Sequence, residues 1–329
     1  MSPDVRRIDA ATAADARLDD EQAVAVDLTA DLGGVPLDNP ITTASGCFAS
    51  GAEIDRFFDV GELGAITVKS LTLEARQGLP TPRMAETPSG MLNAIGLQNP
   101  GIDAWLQRDL PWLQGKGAKV IASIAGSTVD EFREVARRLR RATGVVAVEV
   151  NLSCPNVEHR GLVFACDERA SAEVIAAVAR EVDVPVFAKL TSDVTDVVAV
   201  AEACVQAGAT GLTLINTLLG MSIDPDSGRA RLFNGYGGLS GPAIRPVAVR
   251  NVHQVHTAMP EVPIIGTGGV RTVEDVIEMV RAGATIVAVG TATFVDPFTT
   301  RDLARGLAAW LAEREHASIA ELRGVVTAW

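Results

Sequence analysis

Two lysines, one cysteine and a group of asparagines stand where this sequence can do chemistry. Lys69 and Lys189 each lie at the end of an apolar run, and the chain has only four lysines against twenty-five arginines. An ammonium chosen over a guanidinium at two such places points to a compact cation aimed at an anionic or electron-rich ligand. The segment Glu149-Val-Asn-Leu-Ser-Cys-Pro-Asn156 gathers Asn151, Ser153, Cys154 and Asn156 in a loop opening. The Cys154 thiol can act there as a nucleophile or, as thiolate, as a proton acceptor, and the residues alone leave both open. Gly266-Thr267-Gly268-Gly269 and Gly290-Thr291 place small residues where backbone N–H groups can approach a phosphate. No GxGxxG follows a first strand, which excludes a dinucleotide held in the Rossmann manner. Cys47, Cys154, Cys166 and Cys204 form no CxxC pair, and Cys204 falls within a helical pattern, where a thiol is an inert small hydrophobe. His253 and His256, at helical spacing and without a third ligand, read as a solvated face, so no metal site is expected.

These residues need elements to hold them. Eight short runs rich in β-branched residues predict buried parallel strands: Ile41–Ala44, Ala65–Lys69, Lys119–Ile124, Val145–Asn151, Val184–Leu190, Gly211–Asn216, Val262–Gly266 and Ile286–Gly290. Helix starts are predicted at Ser127 with Asp130, at Thr195 before Val197–Ala207, and at Thr272 with Asp275. Gly208 and Gly283 follow the last turns of two of these helices. A repeated βα unit over one α/β domain of this length predicts a (β/α)8 TIM barrel. Such barrels carry their chemistry on the C-terminal rim, where Lys69-Ser70, Ser123, Asn151, Lys189, Asn216-Thr217 and the two glycine turns fall.

The chain has 329 residues, 47% hydrophobic, with a formal net charge of −12. Such an acidic surface repels phosphate backbones and anionic membranes, so neither nucleic acid nor membrane is an expected partner. Residues 1–23 lack hydrophobic periodicity and read as a disordered tail, leaving 24–329 as the barrel domain. The cysteine usage and the absence of a signal-peptide pattern predict a cytoplasmic protein.

The motifs Lys69-Ser70, Asn93-Ala-Ile-Gly-Leu-Gln-Asn-Pro-Gly101, Asn151-Leu-Ser-Cys-Pro-Asn156, Ile215-Asn-Thr217, Gly237-Gly-Leu-Ser-Gly-Pro-Ala-Ile244 and Gly266-Thr-Gly-Gly269 together resemble the dihydroorotate dehydrogenases. The likeness runs from about residue 24 to 313 and is closest to class 1B, the catalytic subunit of the NAD-linked enzyme. The resemblance implies oxidation of dihydroorotate to orotate, with non-covalent FMN as hydride acceptor and Cys154 as base. It assigns Lys69, Asn93, Ala94, Ile95, Gly96, Leu97, Asn151, Asn156, Asn216 and Thr217 to the substrate. Ser45, Lys69, Ser70, Ser123, Asn151, Lys189, Ile215, Gly241, Gly268, Gly269, Gly290 and Thr291 are assigned to FMN. It further implies a homodimer core joined to a partner subunit that carries FAD and a [2Fe–2S] cluster. Ser123 departs from the Asn common in class 1B. Phe187-Ala-Lys-Leu-Thr191 and Ile121-Ala-Ser123 also resemble dihydropyrimidine dehydrogenase, although that family tends to have His where Asn156 stands. A fumarate-linked class 1A enzyme is a second alternative. A non-catalytic barrel is a third, opposed by the presence of Lys69, Cys154 and Lys189.

Overall fold

A computed structural model describes residues 26–152 and 162–327. The tail expected over 1–23, and Cys154 and Asn156 with their loop, lie outside the described residues. Eight parallel strands form one sheet: β1 (Ile41–Thr43), β2 (Ile66–Thr67), β3 (Val120–Ile124), β4 (Val145–Asn151), β5 (Val186–Leu190), β6 (Gly211–Leu214), β7 (Ile264–Thr267) and β8 (Ile286–Val289). Each pairs with its neighbours in chain order, β8 pairs with β1, and a parallel bridge from Thr42 to Ala65 closes the ring between β1 and β2. Seven lie inside the predicted runs, and β7 overlaps its run and extends one residue beyond it, to Thr267. The buried patterns explain why, since every residue of β3, β5, β6, β7 and β8 is enclosed, as strands covered by helices on one side and by the barrel interior on the other must be.

The covering helices are α1 (Ile102–Gly115), α2 (Val129–Leu139), α3 (Glu168–Ala179), α4 (Val197–Gln206), α5 (Arg245–Ala258), α6 (Val273–Ala282) and α7 (Thr299–Ala312). The crossover from β1 to β2 runs instead through turns and a short 3-10 turn at Val60–Glu62. Thr272 and Asp275 form the expected reciprocal capping box of α6. Two other caps sit one residue beyond the prediction. Thr128, not Ser127, accepts from the Glu131 N–H to start α2, and Asp196, not Thr195, accepts from Val198 and Ala199 to start α4. Gly208 and Gly283 take φ of +109° and +124°, the turn that ends a helix and that a β-carbon resists.

Along the barrel interior, side chains two residues apart stack upward. At the bottom, Ile121, Ala147, Phe187, Ile265 and Ile286 pack against Leu32 and Leu37. Those two leucines belong to the N-terminal hairpin of Ala30–Asp31 with Pro36–Leu37, which plugs the barrel floor. Phe187 occupies so much of this layer that a β-carbon at Gly211 would lie 2.4 Å from its ring. At the top, an antiparallel four-stranded sheet forms from two loops. Met84–Thr87 and Gly90–Asn93 come from the loop after β2, Leu218–Met221 and Tyr236–Ser240 from the loop after β6. They join where Gly238 pairs with Asn93.

Candidate active site

Between this roof and the rim lies a cavity of about 1360 Å³. Into it the strand ends deliver a continuous set of polar side chains. Ser70, after β2, bonds the Ser123 hydroxyl of β3 at 2.9 Å, and Ser123 donates to Glu149 Oε1 of β4 at 3.0 Å. Asn151, two residues above Glu149, donates to Ser70 Oγ at 3.3 Å and accepts from Asn216 Nδ2 at 3.1 Å. Lys189 of β5 donates to Ser45 Oγ at 2.9 Å and lies 3.5 Å from Glu149 Oε1. Both ends of that ion pair are buried, with side-chain exposures of 6% and 2%. A buried charge persists only where it is paired and hydrogen-bonded, so Glu149 and Lys189 must be read together.

Lys69, next to Ser70, brings a second ammonium to the cavity. Its ammonium passes so close to Gly46 that a β-carbon there would lie 3.2 Å from Nζ. From the roof, Asn93 donates to the Gly238 carbonyl at 3.2 Å, which fixes the rotamer of its amide above the cavity. The far end is built of backbone. Gly241, Gly268 and Gly269 have φ of +96°, +132° and +76°, and β-carbons there would lie 2.7 to 2.8 Å from Gly90, Ala248 and Arg245. Thr291 donates to Ser240 Oγ at 2.8 Å and so ties the end of β8 to the roof.

Of the residues singled out by sequence, Ser45, Lys69, Ser70, Asn93, Ile95, Gly96, Leu97, Asn151, Lys189, Ile215, Asn216, Thr217, Gly241, Gly268, Gly269, Gly290 and Thr291 all line this one cavity. Among the described residues, two do not. Ala94 is buried in a small cluster with Leu92 and Leu232, and Ser123 sits one layer lower, reaching the cavity only through Ser70. Cys47, four residues after β1, also lines the cavity. Burial pushes its thiol up while Lys189 and Lys69 pull it back, so it stays a neutral thiol rather than a second nucleophile. Cys204 is inert as expected, fully enclosed in α4 with its thiol pushed up to about 12.

Sequence reasoning passed over Glu149. Its signal was a lone carboxylate inside an otherwise apolar run, on the same inward side as Asn151. It also passed over the outer mouth, where Arg83 donates to Gln98 Oε1 at 2.6 Å and Arg76 to Ser127 Oγ at 3.1 Å.

Comparison with known proteins decides among chemistries that geometry alone leaves open. The family model described as dihydroorotate dehydrogenase matches residues 27–311. This chain belongs to the dihydroorotate dehydrogenase family. It is 52% identical over 297 residues to the "Dihydroorotate dehydrogenase B (NAD(+)), catalytic subunit" of Anoxybacillus flavithermus, covering 90% of this chain and 95% of that one. The protein of the same description from Geobacillus kaustophilus is also 52% identical, with the same coverage. Among solved structures, dihydroorotate dehydrogenase from Eimeria tenella in complex with ferulenol superposes with a TM-score of 0.78. It covers 91% of this chain and 88% of that one at 22% identity, a likeness of fold. Within the dihydroorotate dehydrogenase family, then, the cavity described above is the candidate active site. Among the described residues, no helix is long and apolar enough to cross a membrane.

Proposed function

We propose that this chain is the catalytic subunit of an NAD-linked dihydroorotate dehydrogenase, oxidising dihydroorotate to orotate on the route to UMP. The observation that carries this reading is the convergence of Lys69, Asn93, Asn151 and Asn216 on one cavity with Lys189. A pyrimidine carboxylate presents an anion and alternating N–H and C=O groups. Amides, which both donate and accept, match the ring, and the Lys69 ammonium matches the carboxylate.

FMN fits the remainder of the cavity. The volume takes a flavin nucleotide with a pyrimidine beside it, and the glycine-lined end near Gly268, Gly269, Gly290 and Thr291 leaves backbone room where a phosphate would lie. Ser45, Ser70 and Lys189 would hold the flavin ring, with Lys189 facing the edge that gains negative charge on reduction. FMN, bound without a covalent link, supplies the hydride acceptor for C6. Cys154 is the base for the C5 proton. Lys69 and the asparagines hold and orient the substrate, and the roof strands exclude water from above.

The description of the relatives as catalytic subunits supports a separate electron-transfer subunit; FAD and a [2Fe–2S] cluster in that subunit, and a cytoplasmic assembly, complete the proposal. The roof exposes Leu219, Met221 and Tyr236, with Met221 directly across from Tyr236, and this apolar surface supports a homodimer core. We assign residues 24–329 to the barrel domain and 1–23 to a tail.

The test is anaerobic titration of the purified flavoprotein with dihydroorotate, alongside a Cys154→Ala variant. Bleaching of the flavin in the wild type, slowed at least about a hundredfold in the variant, is the expected result. A flavin that dihydroorotate does not bleach would overturn the assignment, and dihydrouracil would be the next substrate tried.

A further inference from the structure

Glu149 lies below the cavity and belongs to no role assigned so far, yet the Ser123 hydroxyl and the Lys189 ammonium both end on it. One of its oxygens, Oε1, takes both the Ser123 hydroxyl at 3.0 Å and the Lys189 ammonium at 3.5 Å. From Ser123 the hydrogen bonds continue to Ser70, Asn151, Asn216 and the backbone N–H of Thr217, which donates to Asn216 Oδ1 at 2.8 Å. The two ends of this chain have fixed senses, because a backbone N–H only donates and a carboxylate only accepts. Every link between them must therefore point the same way. Thr217 donates to Asn216, Asn216 to Asn151, Asn151 to Ser70, Ser70 to Ser123 and Ser123 to Glu149. The amide of Asn151 is thereby fixed in one orientation, with its oxygen toward Asn216 and its nitrogen toward Ser70, and the second N–H on that nitrogen is its free donor for a ligand.

Resting on the functional reading above, we propose that Glu149 is a positioning residue for both ligands. Its charge holds Lys189 against the flavin side. Its acceptor oxygen terminates the hydroxyl and amide chain and so fixes which atoms Asn151 presents to the pyrimidine. Substrate affinity and flavin potential are thus linked through one buried carboxylate, and they separate by variant. Charge acts on the flavin through Lys189, whereas hydrogen-bond sense acts on the substrate through Ser123.

Glu149→Gln keeps the shape and removes the charge, leaving Lys189 without its counter-ion beside the flavin. The flavin midpoint potential of the holoenzyme, measured by redox titration without substrate, shifts positive, because the uncompensated ammonium favours the reduced, anionic ring. Ser123→Ala breaks the chain and leaves the ion pair, so orotate binds about tenfold more weakly in a spectral titration while the potential stays near wild type. Glu149→Gln alone also weakens orotate, through its poorer acceptor. The double variant binds orotate no more weakly than the worse single variant, because both changes act on one chain. Glu149→Asp gives a further arm. It retains the charge but draws it back by one methylene, so orotate weakens and the potential holds. An unchanged potential in Glu149→Gln, or fully additive losses of orotate affinity, would overturn the proposal. Failure of the functional reading looks different, because the wild-type flavoprotein would then neither bind orotate nor be bleached by dihydroorotate.

Discussion

On β4, Ala147 packs with Leu32, Leu37 and Phe187 at the bottom of the barrel, while Glu149, two residues along on the same inward side, accepts from Ser123 and lies against Lys189. The same step is taken by Ile121 and Ser123 on β3, by Phe187 and Lys189 on β5, and by Ile265 and Thr267 on β7. Floor and rim are thus made by the same strands at the same spacing, and differ only in what is set at alternate positions. The floor is apolar, and its partners lie close in space and need no ligand. The rim is polar, with buried charge and amides, and its side chains still have capacity to bind. One end of each strand stabilises the fold, and the other spends that stability on holding polar groups out of water.

The comparison can be broken most strongly at the floor. Phe187→Ala removes a fully buried ring from between the hairpin plug and the barrel and is expected to destabilise the protein by about 3 to 5 kcal/mol, read as a lowered denaturation midpoint. Flavin content of the fraction that remains folded should be preserved. Loss of flavin without loss of stability would show that floor and rim are not separate. A smaller effect is expected at the glycine end of the rim. There a Gly241→Val side chain meets Gly90 and the left-handed backbone, and FMN affinity should fall about tenfold or more with a shift of only a few degrees in Tm. The smallest effect concerns a titration away from both layers. His256, at the end of α5, lies against Gly324 and Arg323, and burial with the charge of Arg323 pushes its imidazole pKa down, a shift that Glu261 partly opposes. The folded state therefore binds this proton less readily than the unfolded chain. His256 costs nothing above pH ~6.5, and stability falls as pH drops below that value. His256→Gln should flatten the Tm profile between pH 5 and 7 by about one to two degrees, and an identical profile in the variant would refute the assignment.

The barrel was legible because each strand is an unbroken β-rich run that ends in a polar or glycine residue, and burial on both sides demands that pattern. The helix caps at Thr128 and Asp196 were missed by one residue because Ser127 and Thr195 carry equally suitable oxygens. Only the docking of Phe132 and Val197 into the core decides which turn comes first. The roof strands were not legible, since Gly90–Asn93 gains its partner from Tyr236–Ser240, far along the chain, and neither run alternates strongly enough to announce a strand. Most of the rim was readable as isolated polar residues at strand ends. The link through Glu149 was not, because a carboxylate within an apolar run has no identified partner until β3 and β5 are placed on either side of it.

The pairing of Gly238 with Asn93 closes a loop of 145 residues. Such a contact carries a larger closure entropy than the neighbouring-strand contacts of the barrel wall, and it stabilises nothing until its ends have been brought together. The wall closes over a longer span still, when Val287 of β8 pairs with Ile41 of β1, and the floor waits for Ile265 and Ile286. The cavity therefore takes its shape only when both long-range closures are made. A chain interrupted before Tyr236 would hold Lys69 and Lys189 but neither the last roof strand nor Gly241, Gly268, Gly269 and Gly290, so the order of the sequence itself keeps an incomplete protein from enclosing the site.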